Sequence, residues 1–221
     1  MKANPKKVMA KNKIIIMKNN ENQISKEMNL KFRRPDIRFL NQMRNVLCDQ
    51  NWAKTASNFE VYYMYRGLKE KNNLRYDITV IPPRTLGKEF VKTKGHEHLG
   101  KFGEIYIVLE GRAIYLMQKY KKGEIKDVYA VKAKKGDVVV IHPGYGHVTI
   151  NPSKKTLKMA NWISKFCQSR YDLFEKKQGA CYYFTKSGWI KNMKYKAVPK
   201  LRFEKTLKKM PKNLEFLKGE T

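Results

Sequence analysis

Two stretches decide the fold: GKEFVKTKGHEHLGKFGEIYIVLEG, from Gly87 to Gly111, and GDVVVIHPGYGHVTIN, from Gly136 to Asn151. Between them they hold all four histidines of the chain, His96, His98, His142 and His147. A His-x-His pair on a β-strand sends both imidazoles to one face, because side chains alternate with a period of two. Glu104 and a third imidazole, His147, can then close around one ion. Imidazole and carboxylate donors suit Fe(II), Mn(II), Ni(II) or Zn(II), and no cysteine lies near enough to make a closed structural zinc site. By the same alternation Glu97, between the two histidines, points away from the ion as an exposed acid. His142 precedes Pro143 at a turn and reads as a surface histidine.

The spacings carry a further signal. Glu104 is followed by six residues and then Gly111, while Gly136 is followed by five and then His142, with Gly144, His147 and Asn151 beyond. These paired motifs resemble those of the cupin superfamily, although five residues separate His98 from Glu104 and His142 stands where the second motif usually has proline. The resemblance implies a mainly β fold, a cupin-type antiparallel β-barrel (jelly roll) with its metal in the lumen.

At 221 residues and 26.1 kDa, with 42% hydrophobic residues, the chain can bury one sizeable core. Cys48, Cys167 and Cys181 are odd in number and form no CxxC pair, which suggests neither a disulfide framework nor a cysteine zinc site and fits a reducing cytoplasm. The longest early apolar run, Ile14 to Met17, is far too short for a membrane span or a signal-peptide core, so a soluble cytoplasmic protein is expected, with no membrane partner. A formal charge of +29 invites nucleic-acid contact. The excess is spread over the whole chain, and a basic rim that attracts an anionic metabolite accounts for it equally well.

Along the chain, residues 1–35 form a basic extension, partly disordered or draped on the barrel. Asp36 can cap a short helix reaching about Leu47, with Leu40, Met43 and Leu47 on one face. From Phe59 onward short β-rich runs follow one another: Phe59 to Tyr65, Tyr76 to Ile81, Glu89 to Thr93, Glu104 to Leu109, Ala113 to Gln118, Val128 to Lys132, Val138 to Ile141, His147 to Ile150, Thr156 to Trp162 and Cys181 to Thr185. Turn material such as Pro82-Pro83, Lys122-Gly123 and Lys135-Gly136-Asp137 separates them. Glu104, Tyr106 and Val108 share one face of their strand, and His147, Thr149 and Asn151 share a face of theirs. Residues 204–221 read as a basic tail holding one terminal helix.

The flanking residues are more specific. Asp77-Ile78-Thr79-Val80-Ile81-Pro82, then Gly87 to His98, Glu104-Ile105-Tyr106 and Tyr145 to Asn151 resemble the cupin-type glucose-6-phosphate isomerases of archaea, over about residues 36–200. That resemblance implies an isomerase domain at 36–203 that interconverts glucose 6-phosphate and fructose 6-phosphate in glycolysis and gluconeogenesis, as a homodimer. It implies His96, His98, Glu104 and His147 as ligands of one divalent ion, iron or manganese first and nickel or zinc as substitutes. Thr79, Thr93, Gly95 and Tyr171 match positions near the sugar phosphate, and Tyr106 a tyrosine beside the substrate. Trp162 stands near a position where the family places a tyrosine, which weakens the expected substrate grip there. Lys88 and Lys94 are further candidates for the phosphate. Aldose-ketose isomerisation needs a base to carry a proton between C1 and C2 through an enediolate. Glu104 is the first candidate and water at the ion the second. The rival function is a non-catalytic cupin that binds a sugar phosphate or nucleic acid and acts as a regulator.

Overall fold

The computed structural model describes residues 34–219, so the expected basic extension lies almost wholly outside the described residues. The chain runs through β1 (Asp36–Phe39), two 3-10 turns (Leu40–Gln42 and Arg44–Val46), α1 (Gln50–Thr55), β2 (Glu60–Lys71), β3 (Leu74–Ile81), β4 (Thr85–Leu86), β5 (Glu89–Phe90) and β6 (Glu97–Leu99). It continues through β7 (Glu104–Glu110), β8 (Arg112–Lys121), β9 (Glu124–Lys134), β10 (Val138–Ile141), β11 (Gly146–Ile150) and β12 (Leu157–Ser164). After β13 (Gln168–Arg170) come α2 (Asp172–Lys176), β14 (Tyr182–Thr185), β15 (Gly188–Lys191), β16 (Arg202–Glu204) and a last 3-10 turn, Glu215–Leu217.

Every strand expected from the alternating pattern is present, most within a few residues of its expected ends. Turn chemistry explains the hairpins: Lys122 and Gly123, at φ of 53° and 85°, join β8 to β9 in the left-handed region that two-residue hairpin loops use. The fold is mainly β, and its six-stranded sheet and one of its two four-stranded sheets make a flattened jelly roll. A six-stranded sheet has the order β1-β2-β3-β12-β7-β10, and a four-stranded sheet the order β11-β8-β9-β16. Each ends in edge strands, so the expected barrel is two facing layers rather than one continuous ring of hydrogen bonds. Tyr106 of the first sheet packs on Tyr115 of the second with ring centroids 5.1 Å apart, and the Tyr115 hydroxyl meets Met159 Sδ at 3.3 Å.

The six-stranded sheet is apolar on both faces. Its inner side chains, among them Tyr106, Val108 and Met159, join the main core, while Ile105, Ile107, Ala160 and Trp162 face outward into a second cluster. That outer cluster is covered in part by the C-terminal segment. β16 pairs in parallel with β9, Leu207 bridges to Val138, and Leu217 is fully buried beneath Trp162 and its neighbours. The expected terminal helix is therefore a single 3-10 turn, held by tertiary contacts rather than by its own propensity.

The expected helix over Asp36–Leu47 is also corrected. Asp36 does not cap a helix; its carboxylate pairs with Arg66 at 3.0 Å, and β1 adds to the sheet edge beside β2. Leu40, Met43 and Leu47 are all fully buried as the spacing suggests. Two tight turns satisfy an i, i+3 apolar pattern as well as a helix does. The helix proper, α1, starts one turn later, where Asp49 accepts from Trp52 N at 3.1 Å. Among the described residues no helix is long and apolar enough to cross a membrane.

A buried ion pair anchors this N-terminal segment. Lys92 Nζ lies 2.7 Å from Glu89 Oε2 and donates to the Val46 carbonyl at 2.8 Å, while Glu89 Oε1 accepts from Cys48 N at 2.7 Å. Both side chains are almost completely buried. Lys92→Met leaves the Glu89 charge unpaired in the interior and should cost about 3–5 kcal/mol in urea denaturation. The double variant Lys92→Met with Glu89→Gln should recover most of it; a single-variant loss below about 1 kcal/mol would show the pair to be dispensable.

Candidate metal centre

The site forms where the two large sheets meet at one end. Short bridging pairs bring His96 against His147: His96 N donates to the His147 carbonyl at 3.2 Å and His147 N to the His96 carbonyl at 2.9 Å. Strand β6 then carries His98 to the same side, and β7 delivers Glu104. One ligand atom from each of His96, His98, Glu104 and His147 lies within 4.8 Å of the others. The imidazole rings of His96 and His147 are 4.4 Å apart by centroid, those of His98 and His147 5.4 Å.

Two of the candidate donor atoms, His98 Nε2 and Glu104 Oε2, are left free for a shared partner. His98 Nδ1 faces the Phe102 carbonyl at 3.0 Å and must donate to it, because a carbonyl only accepts. In the neutral ring the lone pair then sits on Nε2, which points to the centre. That Nε2 and Glu104 Oε2 are buried without a hydrogen-bond partner, 3.4 Å from each other. Glu104 Oε1, by contrast, accepts from Asn161 Nδ2 at 2.7 Å. Unpartnered buried donors converging on one point are the arrangement a divalent cation satisfies.

Burial raises the Glu104 carboxyl, but the imidazoles of His147 and His98 outweigh it and hold the group well below the usual carboxylate range. Burial lowers His98, yet its pairing with Glu104 prevails and leaves it above an ordinary imidazole. His96 is pushed well below the usual value by burial and by the neighbouring imidazoles, and His147 is lowered mainly by burial. Tyr106, whose hydroxyl lies 3.3 Å from His147 Nε2, is pushed well above an ordinary phenol by burial and by the Glu104 charge. It keeps its proton at neutral pH and is a donor, not a base.

A cavity opens over the centre, with about 590 Å³ of empty space including its mouth. Thr79, Thr93, Gly95, Tyr106 and Tyr171 all line it together with His96 and Glu104. A β-carbon at Gly95, where φ is +84°, would lie 2.5 Å from Phe174 Cδ1, so only glycine brings the backbone this close. Thr93 Oγ1 accepts from Thr149 N at 3.0 Å and retains its own proton to donate. Tyr171 stands 5.7 Å from His96 by ring centroid. Lys94 is not free for an anion, since its Nζ pairs with Glu175, and Lys88 is exposed and does not line the cavity.

His142 is exposed, as expected. Glu97 does point away from the centre but is half-buried and paired with Arg170 at 2.9 Å, rather than a free surface acid. Trp162 is a correction: it faces the outer cluster against Tyr76, with ring centroids 5.0 Å apart, and takes no part in the cavity. Its neighbours Asn161 and Ile163 line the cavity instead. Asn161 and the lining residues Tyr62, Arg66, Arg75 and Asp77 were not expected. Alternation along β3 and β12, continued from Thr79 to Asp77 and Arg75, is the sequence signal that reaches most of them.

Residues 38–200 match the sequence model of the family described as glucose-6-phosphate isomerase (GPI). The chain belongs to the glucose-6-phosphate isomerase family. It is 31% identical over 122 residues to the glucose-6-phosphate isomerase of Pyrococcus abyssi, an alignment covering 52% of this chain and 62% of the relative. To that of Thermococcus litoralis it is 32% identical over 127 residues, 54% of this chain and 64% of the relative. The alignments thus span a little under two thirds of the relatives' length. Among solved structures, Lactobacillus farciminis oxalate decarboxylase in complex with formate is similar at a TM-score of 0.39 and 19% identity, covering 47% of this chain and 29% of that one.

In this glucose-6-phosphate isomerase family member the four donors fit a metal by burial, convergence and chemistry. His96→Ala and His98→Ala should each abolish most bound divalent metal by elemental analysis, with circular dichroism unchanged because the sheets do not depend on the ion. Equal metal content in variant and parent would remove these residues from the ligand set. Proton release gives a second check. Without metal, His98 titrates above the ordinary 6.5 and must lose its proton to bind, whereas His96 and His147 are already neutral there. Metal affinity should therefore rise with pH through and above that value, with at most one proton released per ion in calorimetry near neutrality. Release of about three would contradict the assignment.

Proposed function

We propose that the chain is a metal-dependent aldose-ketose isomerase that interconverts glucose 6-phosphate and fructose 6-phosphate. The observation that carries this is the junction of two sets of groups in one cavity: the converging His96, His98, Glu104 and His147, and beside them Thr79, Thr93, Gly95 and Tyr171. The first set would hold one divalent ion, iron or manganese by its nitrogen and carboxylate donors, with nickel or zinc able to substitute. When bound, that ion supplies electrophilic polarisation of the sugar oxygens at C1 and C2.

The remaining work falls to the protein. The hydroxyls of Thr79 and Thr93 and the Gly95 N–H are donors suited to a phosphate. Arg66 and Arg75 add positive charge to the cavity wall, against Asp77 and Glu104 as its carboxylates. Tyr106, a protonated phenol beside His147, can donate to a sugar oxygen. In the enediolate route Glu104 takes the C2 proton of the aldose and returns it to C1, while the oxygens at C1 and C2 exchange carbonyl and hydroxyl character. The homodimer implied by the resemblance belongs to the same proposal.

One observation favours a second route. Oε1 of Glu104 is engaged by Asn161, Oε2 points to the centre, and the carboxyl is held well below its ordinary range, so Glu104 is a weak base as it stands. A direct hydride shift from C2 to C1 needs no base at carbon, only passage of the C2 hydroxyl proton to the C1 oxygen. A coupled assay of metal-loaded protein with fructose 6-phosphate tests the activity itself; no turnover with any of the four metals would sink it and favour a binding protein. Turnover in D₂O then separates the routes, since only proton transfer brings solvent deuterium onto carbon. If Glu104 carries the proton, Glu104→Gln should keep metal and KM while kcat falls about 10²–10⁴-fold. Near-normal kcat in that variant at full metal occupancy excludes Glu104 as the base and leaves water at the ion or the hydride shift, which the deuterium result tells apart.

A further inference from the structure

The last described residues of the chain reach the centre from outside. Gly103 N, one residue before Glu104, donates to the Phe216 carbonyl at 2.7 Å. The Phe216 ring lies so close that a β-carbon at Gly103 would be 2.4 Å from its Cδ2 and 3.0 Å from the Ile141 carbonyl. Gly219 in turn packs on Phe102, where a β-carbon would lie 2.4 Å from the ring. The carbonyl of that same Phe102 receives the His98 Nδ1 proton. Leu217, fully buried against the outer face of β7 and β12, pins the turn in place.

These contacts form a chain of two steps, from tail to loop 100–103 and from the loop to the ligands. We infer that the segment 214–219 is a positioning element for the metal ligands, with Phe216 setting loop 100–103 so that the Phe102 carbonyl fixes the His98 tautomer and Glu104 enters β7 at the right depth. The inference rests on the metal-site reading above and adds to it a part of the chain beyond residue 200, where the family match ends. Loop 100–103 lies outside the regular strands, and two of its four residues are glycine. A loop of that composition explores many conformations unless something removes them. Phe216 does so from the side opposite the ligands. A carbonyl that orients a ligating imidazole through its second nitrogen commonly changes metal affinity 10–100-fold when lost.

The test uses the full chain and three variants. Phe216→Ala should weaken Mn(II) and Zn(II) binding about 10–100-fold by calorimetry, and Phe216→Leu should restore part of the loss. Met210→Ala, which thins the same outer cluster from outside segment 214–219, should lower thermal stability but leave metal affinity within about twofold of the parent, well short of that range. In metal-free protein with neutral imidazoles, ¹⁵N spectra should place the His98 proton on Nδ1 in the parent and distribute it over both nitrogens in Phe216→Ala. Retention of the Nδ1 tautomer and of metal affinity in a folded Phe216→Ala would overturn the inference and leave the tail as a stabilising cover only. Should that variant fail to fold, hydrogen exchange on the parent decides: binding of metal must slow exchange of the Gly103 amide and of residues 216–218, because coupling between two sites is reciprocal. Unchanged exchange there would also overturn it. If the parent binds no metal, the metal-site reading fails, while the tautomer comparison still judges the tail.

Discussion

Glu104 is an ionised carboxylate with almost no access to water, and the arrangement around it follows from the need to satisfy that charge. An isolated buried carboxylate would cost several kcal/mol, so each of its oxygens must be met by a fixed partner. Asn161 meets Oε1 from the adjacent strand, while Oε2, with the imidazole nitrogens of His98 and His147 at 3.4 and 3.3 Å, has no hydrogen-bond partner and is open to a shared cation. Antiparallel pairing sets this geometry: β12 lies between β3 and β7, with Ile163 opposite Glu104 and Asn161 opposite Tyr106. A one-residue slip would turn Asn161 and Ile163 outward, bring Trp162 in, and leave the carboxylate stranded. Register in the central sheet and chemistry at the centre are therefore one constraint.

The six-stranded sheet serves two purposes with its two faces. Inward, alternate residues of β3, β7 and β12 line the cavity and join the main core. Outward, the residues between them form a second apolar cluster that the C-terminal segment covers in part. The cover is not passive in its placement, because the same turn that buries Leu217 touches the loop between His98 and Glu104. Stability of the outer face and order of the centre are linked through about six residues at the end of the described chain.

Most of the site was legible from residue types and spacing. His96, His98, Glu104 and His147 follow from period-two alternation and the grouping of all the histidines, and the structure brings them within reach of one ion. Thr79, Thr93, Gly95, Tyr106 and Tyr171 were placed by resemblance and do share the cavity. Asn161 was missed although it sits on a strand that was expected. Which strand lies beside β7 is a long-range pairing, separated here by some fifty residues of chain, and no local pattern encodes it. Trp162 was misplaced for the same reason: its strand was recognised but the face it presents was not.

The sequence by itself determined what depends on near neighbours: the strands, through alternation of apolar and polar residues; the hairpin turns, through residues such as Lys122-Gly123; and the candidate metal donors, through side-chain chemistry. Tertiary structure alone decided what depends on competition between distant segments. Asp36–Phe39 became an edge strand because β2 offered it backbone partners that outweigh a marginal isolated helix. The lysine-rich tail became a strand, a bridge and a single turn because an uncovered apolar sheet face was there to receive Leu217. Short helices draw most of their stability from tertiary packing, so where packing offers another arrangement, local propensity yields to it.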